Sequence, residues 1–175
     1  TLAPISIDVA SSSTNESTIE FWIYIYQYVG KTNFNQINLE WNKHNRVQIT
    51  GTSVNCYPLV DINDYTMFTT YRQSSLTFEA WHYIQCGTDL IQGNTFVRVG
   101  EDYESTAVTL SINRTHVDKF LIYSSSNSLN NFGYVFIRQI KLWQQYNDKL
   151  IRTDNVYLSS YGNIIYNSGD TITSP

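Results

Sequence analysis

The sequence contains few charged residues, only two cysteines and no long apolar run, and each shortage narrows the classes of protein that it fits. Only 15% of the 175 residues are charged, whereas an average domain has roughly 25%. The net charge is −4, so the chain lacks the basic footprint of a nucleic-acid-binding protein. No apolar run reaches the length that spans a bilayer. We therefore expect neither nucleic acid as a partner nor insertion into a membrane.

In place of charge, the chain has aromatic, hydroxyl and amide side chains. Aromatic residues make up 15% of the sequence, and 14 of them are tyrosines. A surface built from Tyr, Asn, Ser, Thr and Gln is uncharged but rich in hydrogen-bonding groups. It suits a glycosylated extracellular protein or a subunit that packs among its own copies. The length fits one domain that can bury a sizeable core.

The two cysteines, Cys56 and Cys86, have two interpretations. They form either a disulfide, which would close a loop of about thirty residues and contribute roughly 3 kcal/mol, or two buried free thiols. We favour the disulfide because two N-glycosylation sequons, at Asn15 and Asn113, also indicate an extracellular protein, although an Asn-rich chain produces sequons by chance as well. The chain has no signal peptide, and we interpret Thr1 as a mature or excised start.

Two segments predict the central strands of the fold. Residues 18–28 alternate between two faces with a period of two, which is typical of a strand with one face in a core. The aliphatic face consists of Ile19, Phe21, Ile23 and Ile25, and the aromatic face consists of Trp22, Tyr24, Tyr26 and Tyr28. In residues 132–143 the apolar positions change parity near Arg138 and Gln139, a change that a β-bulge can absorb.

Further short apolar segments with Gly, Asn and Ser between them predict an all-β fold, an antiparallel two-sheet sandwich. They lie at residues 36–41, 46–50, 65–71, 76–78, 81–86, 95–99, 107–112, 119–123, 155–161 and 164–166. The predicted sandwich spans residues 18–166. Residues 1–17 are interpreted as an edge strand and a polar linker, and residues 167–175 as a C-terminal linker. Flexible ends of this kind can donate an edge strand to a neighbouring copy.

Three motifs, in order, resemble the LamG-like members of the concanavalin-type jelly-roll superfamily. They are S-T-I-E-F-W-I-Y at residues 17–24, F-E-A-W-H-Y-I at residues 78–84, and F-G-Y followed by I-R-Q-I-K-L-W, which ends at residue 143. The resemblance covers about residues 5–146. It implies a jelly-roll sandwich and a non-catalytic ligand-binding or adhesion module of an extracellular protein.

The chain departs from the family pattern at two places. Arg138 and Gln139 stand where the closing motif often has two acidic residues. Tyr83 stands where the middle motif often has a histidine, and His82 precedes it. Both departures weigh against the calcium binding that is common in relatives.

We expect no enzyme and no cofactor, because the side-chain sets that catalysis or metal binding needs are missing. A retaining glycosidase uses two carboxylates about 5–5.5 Å apart, whereas the acidic cluster at residues 100–104 falls in a predicted turn. His44, His82 and His116 lie too far apart in sequence for metal-ligand spacing. The densest oxygen cluster, and hence the candidate calcium site, consists of Asp61, Asn63 and Asp64. Ordinary loop acids explain that cluster better.

The aromatic face of residues 18–28 is the candidate ligand face. Its rings repeat at about 7 Å along the strand, and both sugars and neighbouring protein segments stack on such surfaces. The alternative is that the second sheet or the terminal segments cover this face.

Two functional hypotheses follow from these patterns. The first is an extracellular or cell-surface structural or adhesion module, a glycosylated β-sandwich unit of a larger surface protein or of a filament. Its partners would be neighbouring modules or copies of itself. The second is a carbohydrate-binding lectin domain that uses the aromatic face.

Overall fold

The structure is a computed structural model, and every element in the part of the chain that it describes is a β-strand. The described residues are 5–14, 17–26, 37–41, 45–50, 53–60, 67–72, 76–89, 93–107, 115–124, 134–143, 150–152, 156–158, 164–167 and 171–174. The strands are β1 (Ile5–Thr14), β2 (Thr18–Tyr26), β3 (Ile37–Glu40), β4 (Arg46–Thr50), β5 (Ser53–Val60), β6 (Met67–Arg72), β7 (Trp81–Asp89), β8 (Asn94–Val99), β9 (Asp102–Ala107), β10 (Thr115–Ser124), β11 (Tyr134–Trp143), β12 (Leu150–Arg152), β13 (Val156–Leu158), β14 (Ile164–Asn167) and β15 (Thr171–Ser174). Within these ranges, a helix long and apolar enough to cross a membrane is not found.

Two antiparallel sheets form a β-sandwich, which confirms the predicted fold class. The six-stranded sheet has the order β1-β10-β3-β4-β5-β6. The seven-stranded sheet has the order β14-β11-β2-β7-β8-β9, and β15 also pairs with β11. The short strands β12 and β13 pair with each other. The predicted hairpin at residues 36–50 is present as the antiparallel pair β3 and β4.

The core lies between the two sheets and includes the aliphatic face of β2. Its four members, Ile19, Phe21, Ile23 and Ile25, are at most 1% exposed. They belong to one buried cluster with side chains of the six-stranded sheet, for example Phe120. The period of two in β2 therefore separates core from surface as predicted, and the aromatic side chains between these four point away from the core.

The change of parity in β11 is a β-bulge at Gln139. From Arg138 to Lys141, β11 advances three residues while β2 advances two. Gln139 has a φ of 53°, a left-handed conformation that costs a non-glycine residue roughly 1–2 kcal/mol. The extra residue shifts the in–out alternation of β11 by one position, so Ile137 and Ile140, which are three residues apart, are both fully buried. The bulge that the sequence predicts is confirmed.

A disulfide joins Cys56 on β5 to Cys86 on β7 and so connects the two sheets. The two Cα atoms lie 5.7 Å apart, and 30 residues separate the cysteines in sequence. Neither side chain is exposed. The disulfide interpretation of the two cysteines is therefore confirmed, and the bond acts as a crosslink through the core.

Polar segments at both ends of the chain are strands rather than the predicted linkers. The Ser- and Thr-rich residues 11–14 form the second half of β1, which pairs with β10 after an irregularity between Asp8 and Ser12. At the C-terminal end, β15 and the last residue of β14 lie beyond residue 166, and both strands pair with β11. Backbone pairing with a partner that is distant in sequence determines these strands, and local polarity does not reveal it.

The acidic segment 100–104 is a turn only at its first two residues, and the rest begins β9. Val99 pairs with Asp102, which leaves Gly100 and Glu101 as a two-residue loop. Gly100 has a φ of 60°, as the first position of a type II′ hairpin turn requires. Of the strand predicted at residues 107–112, only Ala107 lies in the described part, where it is the last residue of β9.

The strand predicted to stop at residue 86 continues as β7 through Gly87 to Asp89. Gly87 pairs with Thr18 of β2. A Cβ atom on residue 87 would lie 2.9 Å from the Cβ of Thr18, a separation that real side chains do not reach. Glycine at this position therefore allows the two strands to approach, and it does not end the strand.

Candidate binding face

The outer face of the seven-stranded sheet carries a group of large side chains where β11, β2 and β7 lie side by side. Across β2 and β7, Trp22 pairs with Tyr83 and Tyr24 pairs with Trp81. On the other side of β2, Arg138 pairs with Trp22 and Phe136 pairs with Tyr24. We call this group the aromatic platform, and it consists of Trp22, Tyr24, Trp81, Tyr83, Phe136 and Arg138. All six side chains are half-buried.

The rings of the platform contact each other across the strands in tilted pairs. The ring centroids of Trp22 and Tyr83 are 5.5 Å apart, with 59° between the planes. Tyr24 lies 5.5 Å from Trp81 and 6.0 Å from Phe136, at 55° and 70°. Tilted and edge-to-face pairs at these distances contribute roughly 0.5–1.5 kcal/mol each beyond their buried area. The rings therefore connect three strands into one rigid surface.

Arg138 is the cation of the platform, and its guanidinium group lies over two indoles. Its Cζ is 4.0 Å from the ring centroid of Trp81 and 5.7 Å from that of Trp22. Cation–π contacts of this kind contribute about 0.5–2 kcal/mol. The Nε atom of Arg138 is buried and has no hydrogen-bond partner among the described residues. No described carboxylate lies within ion-pair distance of its guanidinium group.

A polar cluster adjoins the platform, with the carboxylate of Glu20 at its centre. The Tyr83 hydroxyl donates to Glu20 Oε2 at 3.0 Å, and Gln85 Nε2 donates to the same oxygen at 3.4 Å. Lys141 Nζ lies 3.8 Å from the other carboxylate oxygen. Glu20 is 8% exposed, and these contacts hold its carboxylate beside Tyr83, Gln85 and Lys141.

Burial raises the pKa of the Tyr83 phenol well above its usual value, and the negative charge of Glu20 raises it further. On the other sheet, burial and then the hydrogen bond to Glu40 raise the pKa of Tyr123 to about 12; its hydroxyl lies 2.7 Å from Glu40 Oε2. Both phenols therefore stay neutral in the folded protein at pH values where an unfolded tyrosine, with a pKa of about 10, ionises.

The raised pKa of Tyr83 predicts a loss of stability above pH 10. Ionisation then favours the unfolded state, in which the phenol releases its proton more easily. The contribution of Tyr83 to stability is complete below pH 10 and falls as the pH rises toward its folded pKa. Urea unfolding at pH 8 and pH 11 should show that wild type loses more stability than Tyr83→Phe over this interval. Equal losses in the two proteins would contradict the assignment.

Of the four aromatic residues predicted as a ligand face, the structure places Trp22 and Tyr24 on the platform. Tyr26 is the last residue of β2, and its side chain lies outside the described part, as does Tyr28. The predicted glycosylation sites Asn15 and Asn113, and the candidate calcium ligands Asp61, Asn63 and Asp64, also lie outside the described residues. Glycosylation and calcium binding therefore stay predictions. In the described ranges, no group of three or more His, Cys, Asp or Glu side chains is placed to hold a metal.

The other four members of the platform, Trp81, Tyr83, Phe136 and Arg138, were not part of the predicted ligand face. Trp81 lies on the outer face and is half-buried. The sequence of β7 indicates that Trp81 and Tyr83 face outward, because Ile84 and Cys86 face inward and residues 81, 83 and 85 have the opposite parity. Phe136 and Arg138 reach the platform only through the pairing of β11 with β2, which no local pattern encodes.

Comparisons with known proteins identify structures of similar fold and no sequence relatives. No protein-family model matches the chain, and no curated protein matches it by sequence. The botulinum neurotoxin serotype G binding domain matches with a TM-score of 0.62 and 15% identity, over 81% of this chain and 37% of that chain. The serotype D ligand-binding domain, in complex with N-acetylneuraminic acid, matches with a TM-score of 0.61 and 15% identity, over 81% of this chain and 36% of that chain. The chain thus spans little more than a third of these domains, and the likeness shows their β-sandwich fold alone.

Proposed function

We propose that the chain is a non-catalytic binding module of an extracellular protein and that the aromatic platform is its binding face. The observation that carries the proposal is the platform itself: five aromatic rings and one guanidinium group on three adjacent strands, directed away from the core. Trp, Tyr and Arg are the residues that most often dominate the free energy of binding at protein surfaces. Glu20, beside the platform, is hydrogen-bonded and ion-paired, which supports a role in binding rather than in catalysis.

The extracellular setting is part of the same proposal. A disulfide that is buried between two sheets suits an oxidising compartment. The LamG-like resemblance of three motifs and the sequons at Asn15 and Asn113 support a glycosylated unit of a larger surface protein. The neighbours of similar fold are described as binding domains, which agrees with a non-catalytic module.

Carbohydrate is the ligand class that the platform fits best. The C–H faces of a sugar pack on aromatic rings, while the guanidinium group of Arg138 and the hydroxyl group of Tyr24 offer hydrogen bonds at the rim. The second candidate is a neighbouring protein module or a second copy of this chain, as in an adhesion protein or filament. It is favoured by the tilts of 55–70° between ring planes, which suit side chains that interdigitate.

A glycan array with wild type, a Tyr24→Ala/Trp81→Ala double variant and Tyr57→Ala tests the proposal. Tyr57 is a matched control, because Arg46 covers its ring at 4.5 Å on the opposite sheet. We expect wild type and Tyr57→Ala to bind the same glycans, and the double variant to lose at least about tenfold in affinity, because stacking on one aromatic ring contributes on the order of 1 kcal/mol.

A wild-type protein that binds no glycan would contradict the carbohydrate assignment. Sedimentation velocity then decides the second candidate. Self-association that the double variant loses would support contact between copies through the platform. A monomer at all concentrations, with no glycan bound, would overturn the platform as a binding face for glycans and for copies of this chain.

A further inference from the structure

We infer that Arg138 makes the platform selective for sugars that carry a carboxylate, such as hexuronic acids or sialic acids. This inference rests on the proposed carbohydrate-binding function and specifies its ligand. The central observation is a guanidinium group that lies over two indole rings and has no carboxylate partner among the described residues.

The indoles lie against a face of the guanidinium group, and because Nε is buried, the Nη groups are the donors left for a ligand. Stacking at 4.0 Å on Trp81 occupies one face of the guanidinium group, and its hydrogen-bond donors point within its own plane. A carboxylate accepts two parallel hydrogen bonds from such a planar fork, and these charge-assisted bonds are roughly twice as strong as neutral ones. A bound carboxylate would therefore find the donor geometry already formed.

The Nε of Arg138 is buried, so a bound carboxylate would contact the two Nη groups of the guanidinium. Neighbouring charges do not supply the acceptor. Glu20 is held by Tyr83, Gln85 and Lys141, and the side chain of Lys141 is 39% exposed on the same strand. The local field around Arg138 therefore favours an incoming anion.

The position of the platform in the sheet favours a sugar over an extended acidic peptide. A peptide that adds to a sheet needs an edge strand with free backbone N–H and C=O groups. Here β2 lies between β11 and β7, β7 lies between β2 and β8, and β11 pairs with β14 and β15 on its other side. The platform thus offers side chains and no free strand edge, and its rings suit the C–H face of a pyranose.

Titration calorimetry with matched sugars tests the inference. The probes are the methyl glycosides of glucuronic, galacturonic and N-acetylneuraminic acid, each compared with its own carboxylate methyl ester, and sodium acetate is the control for a carboxylate alone. We expect wild type to bind at least one acid about tenfold or more tightly than its ester, which lacks the charge. Arg138→Gln should remove this preference. Arg46→Gln, which removes the guanidinium group over Tyr57 on the other sheet, should retain it.

The alternative outcomes are distinct. Equal binding of every acid and its ester would overturn the carboxylate selectivity and leave the proposed function standing, whereas binding of neither would overturn both the selectivity and the carbohydrate assignment on which it rests. Acetate bound as tightly as the sugars would overturn the inference in favour of a simple anion site. If Arg138→Gln does not fold, the wild-type NMR signal of the Arg138 Nε–H decides: it must shift with the acid and not with the ester, and the reverse result contradicts the inference.

Discussion

Deletion of Gln139 should leave the domain folded, whereas deletion of Lys141, two residues further along β11, should destabilise it severely. Without Gln139 the bulge disappears, and β11 advances two residues between Arg138 and Lys141, as β2 does. Ile137, Ile140 and Leu142 then keep their buried positions, and the strained φ of 53° is lost. We expect a change of at most about 1 kcal/mol in the free energy of unfolding.

Deletion of Lys141 has no such solution. In any register of the shortened strand, either Ile140 or Leu142, both fully buried, must turn outward, and a polar or larger side chain must turn inward. Exposure of one buried aliphatic side chain and burial of a polar or oversized one should lower the free energy of unfolding by at least about 3 kcal/mol. Urea unfolding of both deletion variants measures the difference. Equal destabilisation would show that the bulge is an integral part of the packing.

The strand on the other side of β11 also permits the Gln139 deletion. Arg138 pairs with Thr171 in β15, and Lys141 pairs with Asn167 in β14. The bulge therefore lies at the point where the neighbouring partner changes from one short strand to the next. A one-residue change there disturbs the junction between two ladders rather than the middle of one.

Removal of the disulfide by a Cys56→Ala/Cys86→Ala double substitution should lower Tm by roughly 10 °C. The bond restricts the unfolded chain, and a 30-residue separation gives about 3–4 kcal/mol in the loop-entropy model. For a domain of this size, each kcal/mol shifts Tm by about 2–4 °C. Because both cysteines are fully buried between the sheets, the two alanines also leave a small cavity, which adds to the loss.

Two controls separate these contributions. Reduction of the wild-type disulfide removes the crosslink without removing the sulfur atoms, so it should cause most of the loss. The denaturant m-value should rise in both cases, because an unfolded chain without the crosslink exposes more surface. An unchanged Tm after verified reduction would contradict a stabilising role for the bond.

The sequence predicts the parts of this fold that depend on local pattern. The alternation in β2, the parity change before Ile140 and the pairing of β3 with β4 all follow from the order of residues within one strand or hairpin. The disulfide could be predicted because the chain has only two cysteines.

The parts that could not be predicted depend on long-range pairing. Residues 11–14 and 171–174 look like linkers in sequence, yet they lie in strands because β10 and β11 offer them backbone hydrogen bonds. The platform depends on the same information. Trp22 and Tyr24 were visible as one strand face, but Phe136 and Arg138 join them from a strand more than a hundred residues later in the chain. Arg138 stood out in the sequence as the point where the apolar positions change parity and as a departure from a family motif, not as a member of a binding face.

The most direct test of the platform as the binding face is the response of the tryptophan indole N–H signals of wild-type protein to a bound sugar. Trp22 and Trp81 lie on the platform, whereas Trp41 is 1% exposed and its indole N–H donates to Ser17 Oγ at 2.9 Å, so it serves as an internal control. Titration with a glycan selected on the array should shift the signals of Trp22 and Trp81 and leave that of Trp41 in place. Saturable binding that moves neither platform indole would contradict the assignment of this face.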